Sequence, residues 1–292
     1  MIMKRQKELI QDDPDYPYYA SVMNTMEVDK DCLDKVKKRL FSANPWYISI
    51  EGNIGCGKST LLANMHSIYN NIKKTIDSLV PGEDDMSLQL NVPDRDPLDL
   101  YPCSFPRICF LTEPFPKDLI KDFYEGKVDA FTFEKRMILE KKNAEMEIIA
   151  EDPDIAIFDR SVESCIPFIN VMWQNKQIST DNCKELMKMI NEDKSDMITE
   201  FWFLQPFYGR YGYESDQIDL YCKNINERNR QGESLISREY LIQLEMAHDA
   251  WLMKNTARRT VTIIDNYANN NVAKKLIYDL LKKWKISVQK KN

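Results

Sequence analysis

The chain has 292 residues, 43% of them hydrophobic, and a formal net charge of −6. That supports one large domain with appendages, and the acidic balance excludes a general binder of nucleic acid or of an anionic membrane surface. The seven cysteines are scattered without a C-x-x-C pair, which argues against a zinc site and suits reduced thiols in a cytoplasmic chain.

Residues 1–44 are polar and mixed in charge, with a helix expected near Asp31 to Leu40, and read as an N-terminal appendage. No run is apolar enough to span a membrane, and the early Asp12, Asp13 and Asp15 are unlike a basic transit peptide. Trp46, Ile48 and Ile50 predict a buried strand, and Leu61, Leu62 and Met65 follow at helical spacing, in a helix expected to run to about residue 78. Between them lies Gly52-Asn53-Ile54-Gly55-Cys56-Gly57-Lys58-Ser59-Thr60, which fits the phosphate-loop pattern G-x-x-x-x-G-K-[ST]. Glycines let such a loop turn its N–H groups inward on a polyphosphate, and the positive end of the next helix adds to that field. Lys58 is the residue to neutralise phosphate, and the Ser59 hydroxyl the one to ligand Mg2+.

Residues 81–106 are rich in proline and aspartate and read as a surface insertion, with a lid as the alternative. Arg107 to Thr112 predicts a second buried strand, ended by Glu113-Pro114. Phe131 to Ala150 predicts a long helix, and Asp154 to Phe158 a third strand with Asp159-Arg160-Ser161 at its end. A helix over Asp181 to about Asn191, a strand over Glu200 to Leu204 and a polar segment over Tyr208 to Asp219 follow. A helix over Arg238 to Asn255, a strand over Val261 to Ile264 and a helix over Val272 to Trp284 complete the chain. Strands alternating with helices predict an α/β fold: a parallel sheet of about five strands covered on both faces, in one unit spanning 45–288. Ligands of such sheets bind at the carboxyl ends of the strands, where Glu113, Asp159 and Arg160 fall.

In this order, the phosphate loop with Ile50-Glu51 before it, Glu113-Pro114, Phe131-Thr132-Phe133, Asp159-Arg160-Ser161, Arg228-x-Arg230, Glu239-Tyr240-Leu241 and Trp251-Leu252 resemble the deoxynucleoside kinase family, over about residues 46–285. The resemblance implies a phosphate-loop kinase that uses ATP and Mg2+ to phosphorylate the 5′-hydroxyl of a deoxynucleoside, in nucleotide salvage, as a homodimer. It implies Glu113 as general base and Arg160 as its partner. Arg228 and Arg230 would sit in a lid over 223–236, Glu233 and Tyr124 near the sugar, and Asp159 with Ser59 at the metal. Adenine is expected near Asp265, Asn266 and Tyr267, after the last strand.

Three positions depart from the family pattern. Asn224 stands where the lid carries a further arginine, leaving Lys223 or Arg210 to substitute. Glu134 stands at the base-reading glutamine, and Cys165 and Lys141 stand at an acid and its arginine partner. Glu134 and Lys141 are two helical turns apart and share a face. An ionised Glu134 accepts but does not donate hydrogen bonds, which favours deoxycytidine or deoxyguanosine over thymidine. The alternatives are a nucleoside monophosphate kinase, with Arg136 as the added phosphate ligand, and a silent nucleotide-binding scaffold.

Overall fold

Each strand divides its side chains between two apolar layers with a period of two, as a sheet covered on both faces requires. The computed structural model describes residues 45–79, 105–114, 116–192, 198–205, 213–230, 233–265 and 270–289. The expected appendage over 1–44 and nearly all of the insertion over 81–106 lie outside them. The strands are β1 (Trp46–Glu51), β2 (Ile108–Leu111), β3 (Ile155–Asp159), β4 (Glu200–Leu204) and β5 (Thr260–Ile264). All four pairings are parallel, in the order β2-β3-β1-β4-β5. The helices are α1 (Lys58–Leu79), α2 (Lys117–Tyr124), α3 (Ala130–Ala150), α4 (Cys165–Gln174), α5 (Thr180–Glu192), α6 (Tyr213–Arg228), α7 (Arg238–Asn255) and α8 (Asn270–Gln289).

Ile48 and Ile50 of β1, Ile155 and Ile157 of β3, and Trp202 and Leu204 of β4 face one layer. Leu61, Leu62 and Met65 of α1, Tyr221 and Ile225 of α6, and Ile277, Leu280 and Leu281 of α8 close it. Tyr47, Ala156, Phe158 and Phe201 face the other, against Met146, Ile148 and Ile149 of α3 and Trp251 of α7. A third cluster joins Ile138 of α3 to Ile169 and Met172 of α4 and Leu186 and Ile190 of α5. The Asp129 side chain caps α3 by accepting from Thr132 N at 2.9 Å, and Ser237 caps α7 by accepting from Tyr240 N at 3.1 Å.

The chain leaves β1 for one side of the sheet, returns to β3 beside it, then crosses to β4 on the other side. The sheet order therefore reverses at the carboxyl end of β1, where a crevice opens. Two helices, α2 and α4, were not expected from the sequence, and the segment over Tyr208 to Asp219 is helical from Tyr213 onward. Among the described residues no helix is long and apolar enough to cross a membrane.

His248 of α7 is fully buried against Phe168 and Phe203, with Nδ1 at 2.8 Å from the Leu244 carbonyl oxygen. Burial, with Arg160 nearby, pushes its pKa from 6.5 down to about 3. The unfolded ring takes up a proton below about 6.5 and the folded ring does not, so this contribution to stability is present above pH 6.5 and is lost as the pH falls towards 3. The denaturant midpoint is expected to drop across that window, and His248→Phe to flatten the drop. Equal slopes in both proteins would show that His248 is not responsible.

Candidate active site

The loop from Gly52 to Gly57 leaves β1 and enters α1 at Lys58. It needs its glycines: Gly52, Gly55 and Gly57 have φ of +136°, +81° and +97°, where side chains are strained. A Cβ on Gly52 would lie 2.8 Å from the Leu204 carbonyl oxygen, and one on Gly55 2.7 Å from that of Tyr221. The Lys58 ammonium reaches back across the loop to the carbonyl oxygens of Gly52 at 3.0 Å and Asn53 at 2.7 Å. Burial, with Arg160 close by, lowers its pKa. Two neighbouring helices brace the loop. Asn224 of α6 donates to the Gly55 carbonyl at 2.7 Å. Asn53 donates to the Leu241 carbonyl and to Glu245 of α7, both at 2.8 Å, and Gln217 of α6 donates to the same Glu245.

At the ends of β2 and β3 stand Glu113 and Arg160. Arg160 Nη1 donates to both Glu113 carboxylate oxygens at 3.1 Å, and Nη2 donates to the Gly52 carbonyl at 3.0 Å. Lys141 of α3 donates to Glu113 Oε1 at 3.0 Å. Burial opposes the charge on Glu113, but Arg160 and then Lys141 outweigh it and hold the carboxyl well below the usual carboxylate range. Arg160 has φ of +68° and packs its guanidinium over Phe168, 5.0 Å from the ring centroid.

Ser59 Oγ donates to Asp159 Oδ2 at 2.6 Å, while Asp159 Oδ1 is buried without a partner among the described residues. An orphaned carboxylate oxygen beside a helix-terminal hydroxyl fits a divalent cation. Among the described residues no cluster of three or more His, Cys, Asp or Glu side chains could hold a metal alone, so remaining ligands would come from phosphate and water, as is usual for Mg2+.

These groups meet around one cavity of about 650 Å³. The phosphate loop contributes Ile54, Gly55, Gly57, Lys58, Ser59 and Thr60 to its wall; Glu113, Tyr124, Glu134, Lys141, Arg160 and Cys165 line it too. Arg228, Arg230 and Glu233 close it from the side of α6. Arg228 holds Glu233 through Nε and Nη2, each at 2.6 Å, and Arg230 Nη1 lies 3.9 Å from the same carboxylate. Sequence reasoning missed Phe168 and Met172, which also line the cavity and come from the unexpected helix α4.

Several expectations need correction. The side chains of Asn53 and Cys56 are buried and do not line the cavity, because a loop that turns its N–H groups towards an anion turns side chains into the protein. Asn224 is a loop brace, and Lys223 does not replace the absent arginine: it lies exposed, 3.8 Å from Glu227. Arg210, Asn266 and Tyr267 lie outside the described residues, and Asp265 is exposed and away from the cavity lining. Arg136 is exposed and outside the lining, which removes the phosphate ligand of the monophosphate-kinase alternative. Lys141 pairs with Glu113 instead of Cys165 or Glu134. Burial pushes the pKa of Glu134 up to about 8, with Lys141 and Arg160 only partly offsetting that.

A parallel sheet with a phosphate loop at its switch point and a carboxylate–arginine pair beside it defines a phosphate-loop kinase fold. The deoxynucleoside kinase family model matches residues 48–289, and the chain belongs to that family. No curated protein sequence matches it. Among solved structures it is similar to deoxyadenosine kinase from M. mycoides with bound dCTP, at a TM-score of 0.55 and 16% identity over 81% of this chain and 99% of that one. The same enzyme with products dCMP and dCDP gives the same values, and with dATP a TM-score of 0.53.

The tight approach at Gly55 is testable. Gly55→Ala is expected to cost about 1–3 kcal/mol from backbone strain and the contact with the Tyr221 carbonyl, lowering Tm by several degrees. Gly126→Ala, at φ of +73° with nothing within 4 Å of the added Cβ, carries the backbone cost alone and should lower it less. Equal losses would mean that the loop is not packed against α6 as described.

Proposed function

We propose that the enzyme transfers the γ-phosphoryl group of ATP to the 5′-hydroxyl of a deoxynucleoside. The observation that carries this reading is the meeting, in one cavity, of a phosphate loop with Glu113 pinned by Arg160. The loop N–H groups and Lys58 hold the donor phosphates. Ser59 and Asp159 would hold Mg2+, which would neutralise phosphate charge. Glu113 orients the acceptor hydroxyl and takes its proton as the new P–O bond forms. A carboxylate held so far below its usual range is a weak base. That suffices where the transition state is loose and the proton leaves late, and positioning contributes most. Arg160 holds Glu113 in place, and Arg228 and Arg230 present rigid guanidinium forks to the transferred group. For Arg228 this requires release from Glu233, which is then free to bind the sugar with Tyr124.

The described cysteines, Cys56, Cys109, Cys165, Cys183 and Cys222, carry free thiols, which supports a reducing, cytoplasmic setting and a salvage role there. Pairing as a homodimer is supported by Ile242, Met246 and Met253, exposed along one face of α7.

An assay of ADP release with the four natural deoxynucleosides and deoxyuridine tests the reading. Lys58→Ala is expected to abolish turnover with an unchanged circular dichroism spectrum. Glu113→Gln is expected to lower kcat about a hundredfold, in the range of a lost general base, with little change in ATP affinity. A kcat within a few-fold of wild type would place the base elsewhere.

A further inference from the structure

The α3 and α4 part of the cavity wall is apolar apart from Glu134, Lys141 and the Cys165 thiol. Phe133 and Met137 of α3 and Phe168 and Met172 of α4 line it. Among them sits Glu134, whose residue is 2% exposed. No hydrogen bond or ion pair reaches its carboxyl among the described residues.

The reason is where the nearby cations go. Lys141 shares the helix face of Glu134 but donates to Glu113 at 3.0 Å. Arg160 is spent on Glu113 and the Gly52 carbonyl. The other titratable neighbours are Cys165 of α4, Tyr124 of α2 and Tyr240 of α7. Burial raises the pKa of each, so they stay uncharged. An isolated carboxylate in such a place is expensive, and the usual resolution is that it takes up a proton.

We propose that Glu134 meets the acceptor as an uncharged carboxylic acid, offering one O–H donor and one C=O acceptor side by side to the edge of a nucleobase. This rests on the deoxynucleoside-kinase reading and names the acceptors that the pocket takes. A neutral acid pairs like an amide. It matches the adjacent acceptor and donor of a keto-pyrimidine (O4 and N3–H) as well as those of cytosine (N3 and N4–H). Thymidine or deoxyuridine is therefore a substrate alongside deoxycytidine, whereas a carboxylate would leave O4 of the keto-pyrimidine and N3 of cytosine facing a second acceptor. The pKa of about 8 puts the loss of the proton, and of this pairing, within reach of a titration.

The first measurement needs no turnover. The infrared C=O stretch of a protonated carboxyl, taken as wild type minus Glu134→Gln, should be present at pH 6.5 and fade towards pH 9. Its absence at pH 6.5 would overturn the proposal even if the kinase reading stands. The second measurement is the ratio of kcat/KM in wild type to that in Glu134→Gln, in which the titration of Glu113 or Lys58 cancels. For thymidine and deoxycytidine alike it should fall up to about tenfold between pH 6.5 and 9, because about a tenth of the molecules keep the Glu134 proton at pH 9 and the rest leave one base acceptor unpaired. A ratio that is independent of pH for either nucleoside, or rejection of both thymidine and deoxyuridine by an enzyme that phosphorylates deoxycytidine, would each refute it. Failure to phosphorylate any deoxynucleoside would refute the underlying reading as well.

Discussion

The site depends on the placement of one guanidinium. Arg160 is 8% exposed, so its charge must be met by protein groups or it would not be buried at all. Its fork supplies that: two bonds to Glu113 at the end of β2 and one to the Gly52 carbonyl at the end of β1, while its own backbone N–H continues the sheet to the Ile50 carbonyl at 3.2 Å. Three strand ends are thus held at the point where the sheet order reverses. The backbone of Arg160 is left-handed, at φ of +68°, a conformation that costs of the order of 1 kcal/mol or more for a non-glycine residue. It persists because the contacts around it leave the chain no alternative.

Beneath that contact lies a polar floor. Glu51 accepts from Ser49, from Ser161 and from Ser164, the last at 2.7 Å, and Glu145 of α3 accepts from Val162 N at 2.7 Å. Both carboxylates hold the short turn that links Arg160 to α4. The phosphate loop is held from its other side by Asn224, Gln217 and Glu245. The segment that carries Arg228 and Arg230 begins on the helix that braces the loop. A shift of α6 therefore acts on the loop and on Arg228 together.

How much of this was legible depended on range. The phosphate loop, Glu113 and Asp159-Arg160 are local patterns at strand ends, and the sequence reading placed them correctly. The bounds of β4 and α7 match those expected, because alternation and periodicity are strong there. Helix α4 was hidden by Pro167 and several β-branched residues. Proline is tolerated there because it lies in the first turn, where its missing N–H has no helical partner. Helix α2 spans 8 residues, too few for a period to stand out. The brace from Asn224 to Gly55 joins residues 169 apart in the chain, and no local pattern announces such a contact. The surroundings of Glu134 were not legible for the same reason, since they are set by burial and by the commitments of distant cations.

The contrast between Glu113 and Glu134 shows how one cavity holds two carboxyls in opposite states. Both are buried, so desolvation acts on both in the same direction. What separates them is that Arg160 and Lys141 both bond to Glu113 and neither bonds to Glu134. Cys165 decides part of this. A carboxylate at the head of α4 would compete for Lys141, whereas a buried thiol offers no countercharge, and Glu113 is then the only carboxylate bonded to the lysine among the described residues. With no charge at 165, Lys141 bonds to Glu113, and Glu134 is left to keep its proton.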